Sequence, residues 1–208
     1  MNEQSRIREI QPHYRSGKVT LQEAFFEPCL SSCRSYSRAT GYFSSSVLRS
    51  WIGVLPKLTE PSNIKIRLLV SPELSANDRL ALEDAVDLAK RSEILNRSAT
   101  ALIARVLDDS DVLVDLFCWL VASSKIQLRF AFPTSIDSKY IYHEKYGIFD
   151  FPWGESLAFM GSANETNSGH CNNYESVDVY RGWEPAETAR VENKAAQFNE
   201  AWEGRAVG

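Results

Sequence analysis

The chain has 208 residues, 44% of them apolar, which is enough for one domain with a buried core and excludes a disordered protein. Its net charge of −4 argues against a protein that coats nucleic acid with a uniformly basic surface. No apolar stretch is long enough to cross a bilayer, and the start lacks the apolar region of a signal peptide, so we expect a cytoplasmic protein with no membrane partner.

The predicted elements begin with a helix over residues 21–33, whose apolar residues have helical spacing. Thr20 and Glu23 form a capping-box pattern at its start. The next predicted elements are an extended segment and a helix that starts from serine caps, over residues 36–43 and 44–58.

The rest of the chain alternates between strand and helix patterns. Strands are predicted over residues 64–70, 125–132, 140–149, 156–161 and 174–180, and helices over 75–90, 99–122 and 185–203. This alternation predicts an α/β fold with a mixed β-sheet flanked by helices, as a single domain over residues 1–208.

Charges and cysteines are distributed unevenly. Residues 1–67 hold ten bases against five acids, whereas residues 73–115 hold ten acids against five bases. We therefore expect that any surface that binds a phosphate backbone is formed by the amino-terminal part of the chain. Cys29 and Cys33 have helical spacing, but without a CxxC pair we favour buried, reduced thiols over a zinc site.

The most specific pattern is the run from His143 to Asp150, followed by the segment Gly161-Ser162-Ala163-Asn164. On an extended segment, residues two apart lie on one face, so His143 and Lys145 share a face, as do Ser162 and Asn164. A nucleophile, a cation and two hydrogen-bonding side chains are what phosphodiester cleavage requires.

This HxKxxxxD and GSxN pattern resembles the signature of the phospholipase D superfamily. Glu175, eleven positions after Asn164, matches an acidic residue of the nuclease-type members. Ten residues separate Asp150 from Gly161, where the family usually has about six, and a turn over residues 151–155 accounts for the excess. The resemblance implies a phospholipase D-like domain and a metal-independent phosphodiesterase or endonuclease, with no metal and no cofactor.

The resemblance also implies a role for each residue of the pattern. His143 would attack phosphorus, and Glu175 would accept a hydrogen bond from its second ring nitrogen. Charge on the non-bridging oxygens would be stabilised by Lys145, Ser162 and Asn164. Asp150 lies an odd number of residues from His143, so we expect it to be a structural anchor on the opposite face, with Gly161 in a supporting role.

Partners follow from the same resemblance. Only one HxK motif is present, as in small members that form the site between two subunits, so we expect a homodimer. The expected substrate is DNA, with RNA left open. His170, Tyr42 and Ser44 are weaker candidates for substrate contact.

A less specific likeness concerns residues 41–44 and 198–202. These resemble parts of the amino-terminal nuclease domain of helicase-linked bacterial restriction and antiphage defence proteins. A helicase or ATPase domain or subunit is then a candidate partner, and the chain can be the amino-terminal part of a longer one. Two other functions stay open, a phospholipase or phosphatidyltransferase and a non-catalytic nucleic-acid-binding module.

Overall fold

The computed structural model describes residues 2–17, 19–59, 64–71, 112–132 and 142–205, with a few isolated residues between 90 and 101. In this part of the chain the α-helices are α1 (Glu3–Arg8), α2 (Glu27–Ser32), α3 (Val47–Ser50), α4 (Leu55–Thr59), α5 (Val112–Ala122) and α6 (Thr188–Trp202). The strands are β1 (His13–Arg15), β2 (Ser35–Thr40), β3 (Lys65–Val70), β4 (Ile126–Phe130), β5 (Tyr146–Asp150), β6 (Ser156–Gly161) and β7 (Ser176–Arg181). Two π-helical turns cover Gln22–Phe26 and Ser168–Asn172.

The strands form one seven-stranded sheet in the order β1-β7-β6-β5-β2-β3-β4. Strands β2, β3 and β4 are parallel, whereas β5, β6 and β7 are joined to each other and to β2 in antiparallel pairs. The sheet is therefore mixed and flanked by helices, which confirms the predicted fold class.

One face of the sheet carries the main core. Its centre is a group of buried aromatic rings in edge and stacked contacts, Phe25, Phe26, Tyr36, Phe149 and Phe159. Rings of this size dominate the free energy of burial, so this cluster fixes β2, β5 and β6 against the first helices.

Helix α6 covers the other face. Phe198 and Trp202 lie in its buried stripe, and the guanidinium of Arg67 on β3 lies 4.9 Å from the Phe198 ring centroid. Arg129 on β4 lies 4.6 Å from the Trp202 ring centroid and donates to the Trp202 carbonyl. These cation–π contacts dock the end of α6 on the parallel strands β3 and β4, while the rest of the helix packs on β5, β6 and β7.

The predicted first helix is present but is not uniform. It starts with the π-helical turn Gln22–Phe26 and continues as α2. The capping box is confirmed, since Glu23 N donates to Thr20 Oγ1 at 3.1 Å and Thr20 N donates to Glu23 Oε2 at 3.2 Å.

The single helix predicted over residues 44–58 is wrong, because the structure divides it into α3 and α4. A Cβ atom on Gly53, in the break, would lie 2.6 Å from a Glu27 carboxylate oxygen. Pro56 lacks the N–H that a continuous helix would use to bond the carbonyl of Ile52. Ser46 occupies the N-cap of α3 without a side-chain capping bond, while Ser44 Oγ accepts from Ser46 N at 3.2 Å.

The strand predictions hold with changes at the ends. Residues 156–161 match β6 without change, and the strands predicted over 64–70, 125–132 and 174–180 shift or shorten by one to two residues at their ends. The strand predicted from residue 140 begins at Tyr146, because its partner β2 ends at Thr40. Short elements α1, β1 and the turn Ser168–Asn172 were not predicted.

Some predictions fall outside the described residues. These are the helix predicted over residues 75–90, apart from residue 90, and most of residues 99–111 in the helix predicted over 99–122. The end of that second helix is described and is α5. Within the described part of the chain, no helix is long and apolar enough to cross a membrane.

Candidate functional site

The site is built where four neighbouring strands meet at one end of the sheet. Antiparallel pairing brings the end of β2, the start of β5, the end of β6 and the start of β7 to this edge, as the pairs Ala39 with Tyr146 and Gly161 with Val177 show. All five residues of the predicted catalytic set lie within about three residues of these strand ends, namely His143, Lys145, Ser162, Asn164 and Glu175. The strand register therefore gathers them.

His143 and Lys145 are in direct contact. Lys145 Nζ lies 2.7 Å from His143 Nε2. An ammonium group can only donate, so Nε2 is the acceptor in this contact and carries the lone pair. The contact leaves Nε2 as the ring nitrogen that can attack an electrophile once an anion draws the ammonium away.

Gly41 fixes the position of the His143 ring. A Cβ atom on residue 41 would lie 2.5 Å from His143 Cδ2 and 3.4 Å from His143 Cα. The backbone after β2 therefore packs against the ring as closely as only glycine allows. The sequence analysis noted Gly41 only for its resemblance, although a glycine that ends a buried strand is itself a signal of close approach.

Ser162 and Asn164 lie beyond the end of β6 and have different partners. Ser162 Oγ accepts from Ser176 N at 3.1 Å, which joins it to the start of β7. Thr40 Oγ1, which donates to the Tyr42 carbonyl at 2.8 Å, lies 3.4 Å from Asn164 Oδ1, and this places Asn164 beside the end of β2. A Cβ on Gly161 would lie 2.1 Å from Ser176 O, so glycine is required at this position for β6 and β7 to meet.

A buried ionic network supports the segment from Gly161 to Asn164. Arg38 on β2 is 1% exposed and Glu165 is 0% exposed. Arg38 Nε donates to Glu165 Oε2 at 2.8 Å, and Arg38 Nη2 donates to the carbonyl of Ala163, between Ser162 and Asn164. The guanidinium therefore holds the backbone of the GSxN segment in place.

Tyr36 and His170 complete the network. Tyr36 Oη donates to Glu165 Oε2 at 3.0 Å, and His170 Nε2 lies 3.5 Å from the same oxygen. Burial alone would raise the pKa of Glu165, but His170, Arg38 and Tyr36 together outweigh it and hold that pKa below its ordinary value. Glu165 is thus an ionised carboxylate in the core.

Electrostatics link the network to Lys145. Burial lowers the pKa of Lys145, and the positive charge of Arg38 lowers it further, whereas Glu175 acts in the opposite direction. Glu175 is 9% exposed and accepts from Asn173 Nδ2 at 3.1 Å. Its described hydrogen bonds do not include one to His143, and the expected hydrogen bond from Glu175 to the imidazole stays a prediction.

Asp150 lies at the opposite end of β5. Its two carboxylate oxygens accept from Ser35 Oγ at 2.6 Å and Ser156 Oγ at 2.7 Å, which ties β2, β5 and β6 together. The turn that follows is closed by Phe151 N donating to Glu155 O, with Gly154 at φ +88°. These contacts agree with an anchoring role and a lengthened turn.

The weaker candidates are arranged differently from expectation. His170 is 1% exposed, stacks on Phe26 with ring centroids 3.8 Å apart, and does not line the surface. The expected substrate contact by His170 is therefore wrong. His170 is a buried residue that supports the site through its contact with Glu165. Tyr42 and Ser44 are half-buried next to Gly41, and Ser44 N donates to the Glu165 carbonyl at 3.2 Å.

A cleft of about 340 Å³ opens at this end of the sheet. Its lining includes His143, Lys145 and Ser162 from the motif, Lys194 from α6, and the exposed Met160 at its rim. The sequence analysis missed Lys194 because it lies far beyond the motif in the chain, on a helix whose placement depends on tertiary packing. Among the described residues, no three His, Cys, Asp or Glu side chains gather as a metal-ion site.

No protein-family model and no curated protein sequence matches the chain. Among solved structures, it is similar to NucT from Helicobacter pylori, at 15% identity over 92% of this chain and 94% of that one, with a TM-score of 0.48. It is also similar to Nuc from Salmonella typhimurium, a phospholipase D family member, at 12% identity over 88% and 84% of the two chains, with a TM-score of 0.44.

A third similar structure is the phosphatidylserine synthase of Haemophilus influenzae, at 13% identity with a TM-score of 0.45. The match covers 85% of this chain but 36% of that one. All three identities are low.

Proposed function

We propose that this protein is a phosphodiesterase that cleaves DNA without a metal ion, through a covalent phosphohistidine on His143. The observation that carries this proposal is the 2.7 Å contact between Lys145 Nζ and His143 Nε2 in an open cleft. A phosphate that enters the cleft attracts the ammonium to its oxygens, and the freed Nε2 lone pair then faces phosphorus.

The reaction has two steps. In the first, the Nε2 lone pair forms a bond to phosphorus, the bond from phosphorus to the leaving oxygen breaks, and that oxygen takes a proton from an acid. In the second, water attacks phosphorus and gives its proton to the same group, while the bond between phosphorus and Nε2 breaks. Histidine exchanges protons near neutral pH and is suited to this acid and base role.

Transition-state charge would be stabilised by groups already held at the strand ends. Lys145 supplies the positive charge, and Ser162 and Asn164 supply hydrogen-bonding groups. Because Arg38 bonds the carbonyl between these two residues, they need little rearrangement when substrate binds. Such prearranged charge performs the function that cations have in metal-dependent nucleases.

A second subunit is proposed as the source of the acid. The chain has three histidines, of which His13 pairs with Asp178 at 2.7 Å and His170 is buried. His143 is thus the histidine of the cleft, and the leaving oxygen needs another. A homodimer related by a two-fold axis would bring together two copies of His143, and the 40% exposed Met160 supplies apolar surface at the rim.

A role in restriction or antiphage defence stays a prediction from sequence. Its basis is the likeness of residues 41–44 and 198–202 to helicase-linked nucleases. The structure gives these residues local functions, since Gly41 packs on His143 and Phe198 docks α6.

The test is cleavage of plasmid and single-stranded DNA in excess EDTA, with wild type beside His143→Ala. We expect wild type to cut and the variant to lose at least about 10⁴-fold in rate, because the nucleophile is gone. Circular dichroism checks that the variant is folded. Wild-type cleavage that EDTA abolishes, or undiminished cleavage by the pure variant, would refute the mechanism.

The shared site is tested by mixing subunits. Wild-type protein is exchanged with increasing amounts of His143→Ala subunits. With a shared site every mixed dimer lacks one of its two histidines, so turnover per wild-type subunit should fall as the variant is added, whereas a site contained in one subunit would leave it unchanged. Sedimentation of the active wild-type protein measures its oligomeric state. Turnover by a strictly monomeric species would contradict the dimeric site.

A further inference from the structure

Lys194 places a second lysine in the candidate cleft, from a different element than the motif. It lies on α6, which covers the opposite face of the sheet from the main core, and it reaches the same cleft as His143, Lys145 and Ser162. The side chain is half-buried. Two lysines and one carboxylate, Glu144, therefore line one opening of about 340 Å³.

Neutral groups hold the Lys194 ammonium in place. Nζ lies 4.6 Å from the centroid of the Tyr146 ring and 2.9 Å from Gln197 Oε1. Gln197 Nε2 in turn donates to Glu144 Oε1 at 2.8 Å, which ties α6 to the residue between His143 and Lys145. The amide thus links the ammonium to the motif segment and fixes their relative position.

The charge of Lys194 is not neutralised by these contacts. Among the ion pairs of the described residues, Arg181 pairs with Glu187 near the start of the same helix, but Lys194 has no carboxylate partner. A cation that is positioned by an aromatic face and an amide keeps its attraction for an anion.

We propose that Lys194 binds the backbone phosphate next to the scissile one, which makes the substrate a polynucleotide and not an isolated phosphodiester. This inference rests on the proposed function, in which Lys145, Ser162 and Asn164 already serve the scissile phosphate. A polynucleotide presents a second phosphate one nucleotide away, whereas a simple diester offers Lys194 nothing to bind. Lys194 is then a substrate-specificity residue.

The experiment compares Lys194→Gln with Arg190→Gln, which removes the same charge from the same helix. Arg190 is exposed and its guanidinium lies 5.2 Å from the Tyr180 ring centroid, outside the cleft lining. The substrates are a single-stranded oligonucleotide and bis-para-nitrophenyl phosphate, which has one phosphodiester only. For each variant we measure kcat/KM on both substrates and the salt dependence of KM for the oligonucleotide.

Lys194→Gln should lower the ratio of oligonucleotide to single-diester kcat/KM about fivefold, the upper range for one accessible ion pair. The slope of log KM against log salt should fall by about 0.7, as for one lost phosphate contact on a single strand. Arg190→Gln should change neither quantity. The inference is overturned if Lys194→Gln leaves this ratio unchanged, whether both kcat/KM values stay the same or both fall equally. In that case, turnover of the oligonucleotide by wild type would still preserve the proposed function. Wild-type protein that turns over neither substrate overturns both.

Discussion

Replacing Gly41 by alanine isolates the contact that positions the nucleophile. The added Cβ would lie 2.5 Å from His143 Cδ2, whereas ordinary contacts begin at 3.4 Å, so the ring must retreat by 0.9 Å. Residue 41 does not have a positive φ, so alanine is compatible with its backbone. The exposed His143 side chain can move, and we therefore expect a small loss of stability but a displaced nucleophile.

A displacement of about 1 Å is expected to lower kcat about 100-fold. The assay is steady-state turnover of bis-para-nitrophenyl phosphate, with thermal unfolding measured on the same samples. Gly17→Ala is the matched control, because a Cβ there would meet no atom of the described residues within 4 Å. Wild-type kcat in Gly41→Ala would refute the conclusion that this backbone contact sets the position of the ring.

Three further predictions concern stability and thiol reactivity. Glu165→Gln should destabilise the protein by about 3 kcal/mol at pH 7, because it leaves a buried guanidinium uncompensated. The pKa of Glu165 is lowered in the folded protein, so the stability that its charge contributes is present above the unfolded-state pKa and is lost as pH falls through the folded-state pKa. Urea unfolding should therefore show that the difference in free energy of unfolding between wild type and Glu165→Gln narrows below about pH 4. Phe198→Ala should cost about 3 kcal/mol in the same assay, whereas exposed Glu200→Ala should stay within about 0.5 kcal/mol, and equal losses would contradict the docking of α6. Burial raises the pKa of Cys33 to about 12, so a thiol reagent should label exposed Cys118 in the native protein and Cys33 only after unfolding; rapid native labelling of Cys33 would contradict its burial.

Local signals in the sequence predicted the parts of the fold that depend on local chemistry. The capping box at Thr20 and the turn after Asp150 were predicted because their partners lie within a few residues in the chain. The extent of β6 was predicted because its apolar run is bounded by a turn and a glycine. For the same reason, the two halves of the motif could be recognised before their spatial relation was known.

Features that depend on distant neighbours could not be predicted in this way. The start of β5 is set by where β2 ends, and the pairing of those strands is not visible in either segment alone. Arg38 was counted among the bases of an amino-terminal phosphate-tracking surface, but its burial beside Glu165 excludes it from that surface. The available signal was that Arg38 lies two residues after Tyr36 and so shares its face of the strand, but its interpretation required the partner 127 residues away.

The residues beside the motif show the same limit. Ser168 and Gly169 are typical of a loop before His170, yet this segment forms a π-helical turn that buries the ring. Gly169 is needed there because a Cβ would lie 2.4 Å from the Asn164 carbonyl oxygen. Tertiary contact with the motif, and not loop propensity, therefore sets the conformation of residues 168–172.

The central claim is that His143 forms a covalent bond to phosphorus without a metal ion. The most direct measurement is a rapid alkaline quench of wild-type protein with an oligonucleotide in excess EDTA, followed by mass analysis of the peptides. We predict a nucleotide adduct on the peptide that contains His143, formed and lost at rates compatible with turnover. Cleavage under the same conditions with this peptide unmodified at every time point, or with the adduct on another residue, would contradict the account.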